Sequence, residues 1–459
     1  MMGLPKMNKI YISDKEAIRN ILADKRADKL PNFMFWIGAG FSADAGVRTA
    51  QNICNDIRDE LFIEYEIDKS DAEKAGKWLV ENLDWEDHSK RYMTCLQRFY
   101  PNEAKRNEFF HKILVDAQPS LSHYILALLM SNGYVKSTCL TTNFDHLIEN
   151  AFTQQDIGRF QTVRTDEECI FWENRIDRAY IDKLQGDIDT QNVMNTRKET
   201  AKLSDAMANL FRDACHNSGL VVIGTAGNEK SVRKVFEELG DRVNKNPVSS
   251  FGLLWGVYMG SRKPLDLTES EIEKLLEVRI KETAINEEII NVIEDSTNGL
   301  YKFFPVWGAG NFMFDLIKDT KNDEMISKAS QHLDHEMRLR FIYSNAGLTE
   351  NAIEQHLENL RRQREKRDKY QPDQKNEIDL VLKARNEASN IEVRVLYGDI
   401  ANKFYMRLDE FRNKRKAIVS PEDTCVSAGG GVAYSILLEA GQKALLNELA
   451  KFSPIEQNT

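Results

Sequence analysis

Short apolar runs alternating with longer amphipathic stretches organise the chain from residue 10 to about residue 320. Phe33 to Ile37, Val135 to Thr141, Leu220 to Gly224 and Tyr301 to Val306 are rich in branched and aromatic residues and bounded by turn residues, so each reads as a strand; Tyr180 to Leu184 is a weaker one. Between the first two, residues 48 to 132 carry apolar positions at three- and four-residue spacing, as in DAEKAGKWLVENL, and predict a helical insert or cap. Strands separated by helical stretches predict an α/β domain with a parallel sheet over residues 10–320. After Asp315 the chain turns to long, charged segments such as ENAIEQHLENLRRQREKRDKYQPDQ and IEVRVLYGDIANKFYMRLDEFRNKRK, which predict a separate, mainly helical region over 321–459. There Ile353, Leu357 and Leu360 recur at i, i+4 and i+7, a stripe able to pack on a partner helix or on the chain's own core.

Small residues break this pattern where the first strand ends. In FMFWIGAGFSADAG, Gly38, Gly40 and Ala43 satisfy G-x-G-x-x-G/A, and the run predicts a tight turn into a helix. Bare N–H groups at such a turn, with the positive end of a helix dipole behind them, suit a phosphate or pyrophosphate. The competing reading is a turn packed under the sheet with no ligand. A second loop, CLTTNFDHLIENAF, places Thr142, Asn143 and Asp145 at a strand end, where open parallel sheets bind ligands. Asn143 offers a donor and an acceptor suited to a ribose hydroxyl or a water, although helix capping would also account for Asn143 and Asp145. A third loop, LVVIGTAGNEKSV, puts Gly224, Thr225 and Asn228 in the same kind of position, again with capping as the alternative.

Composition narrows the classes. The 459 residues are 42% hydrophobic, enough for two or three domains, and the formal net charge of −10 gives no general case for binding nucleic acid or an anionic membrane. The six cysteines occur singly, without C-x-x-C pairs, so no metal site is expected and a reducing cytoplasm fits. No secretory leader or membrane-length apolar run is evident, so a soluble, intracellular protein is expected.

Taken together, the three loops resemble the sirtuin-like NAD-binding domain. The opening segment reads G-A-G-x-S-x-x-A-G through Gly38, Ala39, Gly40, Ser42, Ala45 and Gly46, and TTNFD stands where that superfamily has its Asn and Asp loop. Tyr180 to Asp187 looks like the strand ending in Leu-His-Gly, the Gly224 loop like the later ribose and adenine site, and Tyr301 to Asp315 like the closing strand of the bacterial subfamily. The resemblance implies a Rossmann-type sheet that holds NAD on these loops.

Two departures refine what the resemblance implies. Protein-deacylating sirtuins carry a four-cysteine zinc module that this chain cannot build, so deacylation and zinc are not expected. The nearer resemblance is to bacterial sirtuin-like effectors of anti-phage defence, which use NAD as a substrate and release nicotinamide and ADP-ribose. It implies that Asn143 orients water and stabilises the oxocarbenium-like centre, with Asp145 holding the loop or the ribose. It also implies restraint by a protein partner, by homo-oligomerisation through the C-terminal region, or by a nucleotide or phage-derived trigger; the net charge and the lack of a membrane-length apolar run argue against a membrane or direct nucleic-acid partner. The second departure is Gln185, which stands where the family has a histidine and cannot take up a proton near neutral pH. A natural variant relying on Asn143 and water, a domain that binds NAD without cleaving it, and a chain altered at this position all remain open. His146, next to the TTNFD run, is either a substitute base or a structural histidine.

Other features carry less. His332, His335 and Glu336 have helical spacing but read as a solvated face, and the basic runs Leu360 to Lys369 and Arg412 to Lys416 read as ordinary charged faces. Gly429, Gly430 and Gly431 precede an apolar helix and suit either an anion cradle or a flexible turn.

Overall fold

A computed structural model describes most of residues 10–358 and the segment 379–396; the longest breaks in the first stretch are 191–202 and 241–251. The chain divides into two compact units, Met1–His332 and Leu333–Thr459.

The first unit is a seven-stranded, wholly parallel sheet. Its strands are β1 (Phe33–Ile37), β2 (Thr138–Thr141), β3 (Phe160–Val163), β4 (Ala179–Lys183), β5 (Gly219–Ile223), β6 (Leu253–Tyr258) and β7 (Tyr301–Val306), in spatial order β3-β4-β2-β1-β5-β6-β7. Five of these correspond to runs singled out by apolar content, while β3 and β6 do not. β3 is a short edge strand with three half-buried residues. The apolar run of β6 is broken by Gly256, where a β-carbon would come within 2.6 Å of Val306 Cγ2. β1 is buried along its whole length because it lies at the centre of the sheet with helices on both faces. Trp36 carries much of one face: its ring lies 5.7 Å from Phe211 of α8 (Asp205–Asn217), 5.8 Å from Phe236 of α9 (Lys230–Gly240) and 5.8 Å from Trp255 of β6.

The stretch between β1 and β2 is helical throughout its described elements: α2 (Ala50–Glu64), α3 (Ala72–Leu83), α4 (His88–Phe99), α5 (Glu103–Leu114) and α6 (Leu121–Ser131). These helices enclose their own core of Ile53, Ile57, Leu61, Leu83, Leu96 and Phe110, against which Phe144 also packs. No helix among the described residues is long and apolar enough to cross a membrane.

Two sequence expectations change here. The glycine run after β1 does not lead straight into a helix. It forms two 3-10 turns, Ala39–Phe41 and Ala43–Ala45, and α2 starts only at Ala50, capped by the Thr49 side chain. No α-helix therefore starts directly from the glycine turn. In the second unit, helix α13 (His335–Asn345) and the helical residues 352–355 and 357–358 are followed by an antiparallel hairpin of β8 (Asp379–Asn386) and β9 (Ser389–Leu396), so the part of the expected helical segment over 391–396 is a strand. The segment IEVRVL alternates apolar and charged residues with period two, the signature of a strand rather than a helix. Ile353 and Leu357 are buried with Leu339 of α13, so these positions of the apolar stripe serve the unit's own core. Leu360, both basic runs and Gly429, Gly430 and Gly431 lie outside the described residues.

Candidate functional site

Register brings the predicted loops together. Ile37 pairs with Thr141 on one side and Ile223 on the other, and Thr141 pairs with Lys183, so the carboxyl ends of β1, β2, β4 and β5 are level. The loops beginning at Gly38, Thr142, Leu184 and Gly224 consequently leave one edge of the sheet, next to the point where strand order reverses about β1.

The glycines there are required first by each other. Gly38 N–H donates to Ile223 O at 3.0 Å and Gly40 N–H to Gly224 O at 2.8 Å, which lays the first loop directly on the third. A β-carbon on Gly38 would fall 2.7 Å from Gly224 O, one on Gly40 2.9 Å from Gly224 Cα, and one on Gly224 2.2 Å from Phe41 N. The backbone of Gly224, Gly40 and Phe41, and at Gly38 also Thr225 Cβ, fills the space beside these three residues. Gly46 differs: its φ of 79° demands glycine, yet nothing lies within 4 Å of where its β-carbon would be. Ala39 and Ala45 are half-buried in the same turn. Asp44 faces the closing strand's turn, accepting the Gly310 N–H at 3.0 Å at the start of α11 (Ala309–Asp319), where a carboxylate is favoured by the helix dipole.

Ser42 is the hub of the polar part. Its side chain is fully buried, and its Oγ donates to Asp145 Oδ2 at 2.9 Å while accepting from Asn143 Nδ2 at 3.0 Å. His123 Nε2 lies 3.2 Å from the same Oγ. Because Ser120 N–H donates to His123 Nδ1 at 3.2 Å, the proton of the neutral ring belongs on Nε2, which donates to Ser42. Burial pushes the His123 pKa down to about 3, so the ring is neutral at physiological pH. Ser42 Oγ thus accepts twice and donates once, which fixes its direction.

Asn143 and Asp145 reach this hub from the loop after β2. The second amide hydrogen of Asn143 goes to Gly38 O at 3.2 Å, so both donors are used within the protein and Oδ1 is the atom suited to receive a ligand or water hydrogen. Asp145 combines both sequence readings: Oδ2 binds Ser42, and Oδ1 caps α7 (Leu147–Gln155) by accepting the Leu147 N–H at 3.2 Å. Between them, Phe144 lies edge-on to Phe110 at 5.7 Å and anchors the loop to the helical insert. Thr142 is buried, with its N–H donating to Ile37 O at 3.4 Å.

Gln185 and the third loop are nearby but differently engaged. Gln185 Nε2 donates to Ser231 Oγ in the first turn of α9 at 3.4 Å, whereas Asn143 and Asp145 both bond Ser42. Thr225 Oγ1 accepts the Gly227 N–H at 3.1 Å, and Asn228 lies outside the described residues. His146 Nε2 sits 3.0 Å from each oxygen of Asp187, so that nitrogen is engaged with a carboxylate rather than with the Ser42 hub. His332 lies in a turn and stacks on Tyr124 with ring centroids 3.6 Å apart, which removes it from the solvated helix face expected with His335 and Glu336.

His123, Phe144, Lys183 and Asp187 were not assigned roles by sequence reasoning. His123 stands 81 positions from the serine it contacts, and nothing local marks that pairing. The Lys183-Leu-Gln-Gly-Asp187 run did carry a signal, since two charged residues flanking a strand end need partners once buried.

Residues 137–277 match the family model of the SIR2-like domain, a stretch that holds Asn143, Asp145, Gln185 and Gly224 but not the glycine turn. That stretch, from β2 to β6 of the parallel sheet, is therefore similar to a SIR2-like domain. No curated protein matches the chain. Among solved structures, a Sir2 homologue in complex with NAD is 13% identical, covering 69% of this chain and 99% of that one with a TM-score of 0.32. A Sir2 protein bound to acetylated peptide is 11% identical, covering 68% and 99% with a TM-score of 0.31. Likeness of that degree carries no argument about the site.

Proposed function

We propose that the chain binds NAD across the glycine turn, the Asn143 loop and the Gly224 loop, and hydrolyses it to nicotinamide and ADP-ribose. In the cell this makes it an NAD-depleting effector of bacterial anti-phage defence, held in check by a partner, by self-assembly or by a trigger. The observation that carries the reading is the Ser42, Asn143 and Asp145 network at the level edge of the sheet, lying within and beside the SIR2-like match. The open side of Gly46, where an added β-carbon meets nothing within 4 Å, leaves room for a ligand at the exposed face of the turn.

In the proposed reaction the N-glycosidic bond breaks with its electron pair leaving on nicotinamide. Water then bonds to the ribose carbon and loses a proton. Asn143, aimed by its two donated hydrogen bonds, presents Oδ1 to the water or a ribose hydroxyl, and fixed dipoles of this kind stabilise developing positive charge without reorganising. Asp145 holds Ser42 and the start of α7, which keeps Asn143 in place.

A second reading is favoured by Gln185, whose amide is bonded to Ser231 and cannot act as a base: a subunit that binds NAD or ADP-ribose without cleaving it. Nicotinamide release from NAD separates the two. Under the hydrolase reading, Gln185→His raises the rate, because a base matched to neutral pH contributes roughly 10²- to 10⁴-fold, and Asn143→Ala abolishes it. NAD binding with no release in either background would leave the binding-subunit reading.

A further inference from the structure

Behind the Ser42 hub lies a second set of charged groups that the proposed chemistry does not use. Lys183, at the end of β4, is a cation with a side chain of 0% exposure. Its ammonium donates to the backbone carbonyl of Asp145 and stands 3.1 Å from Glu149 Oε1 and 2.6 Å from Asp187 Oδ2. Asp187 is equally buried and receives His146 Nε2 at 3.0 Å on both oxygens and the Asp189 N–H at 2.8 Å. The loop after β2 thus contributes the Asp145 carbonyl and His146, the loop after β4 contributes Asp187, and Lys183 joins them from beneath.

The tie reaches the hub through Asp145, and a backbone bond from Ile188 N–H to Phe144 O at 3.3 Å joins the same two loops. The carbonyl held by Lys183 belongs to Asp145, whose carboxylate takes the Ser42 hydroxyl and whose neighbour in the chain but one is Asn143. Lys183 and His146, both bonded to Asp187, therefore bear on the height of the backbone from which Asn143 is presented.

We propose that Lys183, Asp187 and His146 form a positioning clamp that holds the Asn143 to Asp145 turn in the arrangement that receives an ADP-ribose moiety. The proposal rests on the NAD reading above for the identity of its ligand, but not for the clamp itself. The clamp makes ligand affinity depend on pH through His146. The Asp187 hydrogen bond raises the His146 pKa above its ordinary value, against an opposing contribution from burial. The charged groups facing it are Asp187 and Asp189 from the β4 loop, Lys183 from β4 and Glu149 from α7. Burial alone would raise the Asp187 carboxyl, but His146 and Lys183 outweigh burial and hold it well below the usual carboxylate range. Burial alone would lower Lys183, but Glu149, Asp187 and Asp145 raise it. Near and above neutral pH, His146 is accordingly the member of the trio that changes charge. Its grip on Asp187 is strongest when protonated, since the imidazolium adds a charge–charge attraction to the hydrogen bond that the carboxylate already accepts.

Two measurements on the full chain test the clamp. Hydrogen exchange without ligand reads the turn directly, because Asn143 N–H donates to Thr141 Oγ1 at 3.0 Å and Leu147 N–H to Asp145 Oδ1 at 3.2 Å. In His146→Gln and Asp187→Asn, exchange over residues 142 to 148 should be about tenfold faster, with α8 unchanged. Calorimetric titration of ADP-ribose should show wild-type affinity falling about fivefold from roughly pH 6 to pH 9, and a flat profile in His146→Gln. A merely structural pair would shift the melting temperature without producing that pH profile. If Asp187→Asn does not fold, the half-buried His146→Gln decides alone. Faster exchange in the variants with no ADP-ribose binding by the wild type would keep the clamp and reject its ligand. Binding that is equal in wild type and variants, with the same pH profile and unchanged exchange, would overturn the clamp and keep the NAD reading.

Discussion

Replacing Gly224 with alanine tests whether the two glycine-bearing loops are built on each other. The new β-carbon would stand 2.2 Å from Phe41 N, more than an ångström inside ordinary contact, on a residue whose φ is 81°. The left-handed conformation costs about 1 kcal/mol for a residue with a β-carbon. Forcing the loops apart adds about 1 to 3 kcal/mol of overpacking, and loss of the Gly40 N–H to Gly224 O bond adds about 1 kcal/mol. The sum is a destabilisation of about 3 to 5 kcal/mol, or a fall in melting temperature of roughly 4 to 7 °C for a unit of this size. Two other glycines calibrate the result. At Gly46, with φ 79° and open space, Gly46→Ala should cost only about 1 kcal/mol. At Gly76, inside α3 with open space, Gly76→Ala should stabilise by up to about 1 kcal/mol. Denaturant unfolding of the three variants beside the wild type gives the order. If Gly224→Ala is no worse than Gly46→Ala, the backbone contact is not what requires glycine, and the space beside it belongs to something else.

Further expectations concern pH and assembly. His123 is buried and neutral with a pKa of about 3 against an ordinary 6.5, so its contribution to stability is present above 6.5 and lost as pH falls toward 3. Unfolding free energy should drop by about 1.4 kcal/mol per pH unit over that window, and His123→Gln should flatten the slope in denaturant titrations; an unchanged slope would show that the ring is not buried neutral. Truncation after His332 removes the second unit whole. Light scattering coupled to size exclusion should then show a monomer that no activator stimulates, beside a larger full-length assembly; a monomeric full-length chain with constant turnover would reject the regulatory role of residues 333–459.

What the sequence revealed follows from how local each feature is. Phe33 to Ile37 and Tyr301 to Val306 were legible to the residue because buried strands of a parallel sheet are continuous apolar runs. Asn143 and Asp145 were legible as candidates because they stand at a strand end, and Ser42 only through the resemblance of its segment. Gly38 and Gly40 were legible as glycines with close neighbours, but the neighbour proved to be Gly224, far along the chain, and only tertiary structure brings it near. The same distance hid His123 from Ser42. The hairpin of β8 and β9 was missed for another reason: the two-residue alternation of Ile391, Val393 and Val395 was submerged in a longer stretch of helix-favouring charge.

The central claim is that NAD occupies the edge formed by the glycine turn, the Asn143 loop and the Gly224 loop. Calorimetric titration of NAD into the full-length chain tests it most directly, with Gly40→Trp, checked for folding by circular dichroism, as the blocked form. The account expects saturable heat from the wild type and none from Gly40→Trp, whose side chain starts 2.9 Å from Gly224 Cα and must displace one loop from the other. No saturable heat from the wild type, or equal affinity in the folded variant, would contradict it.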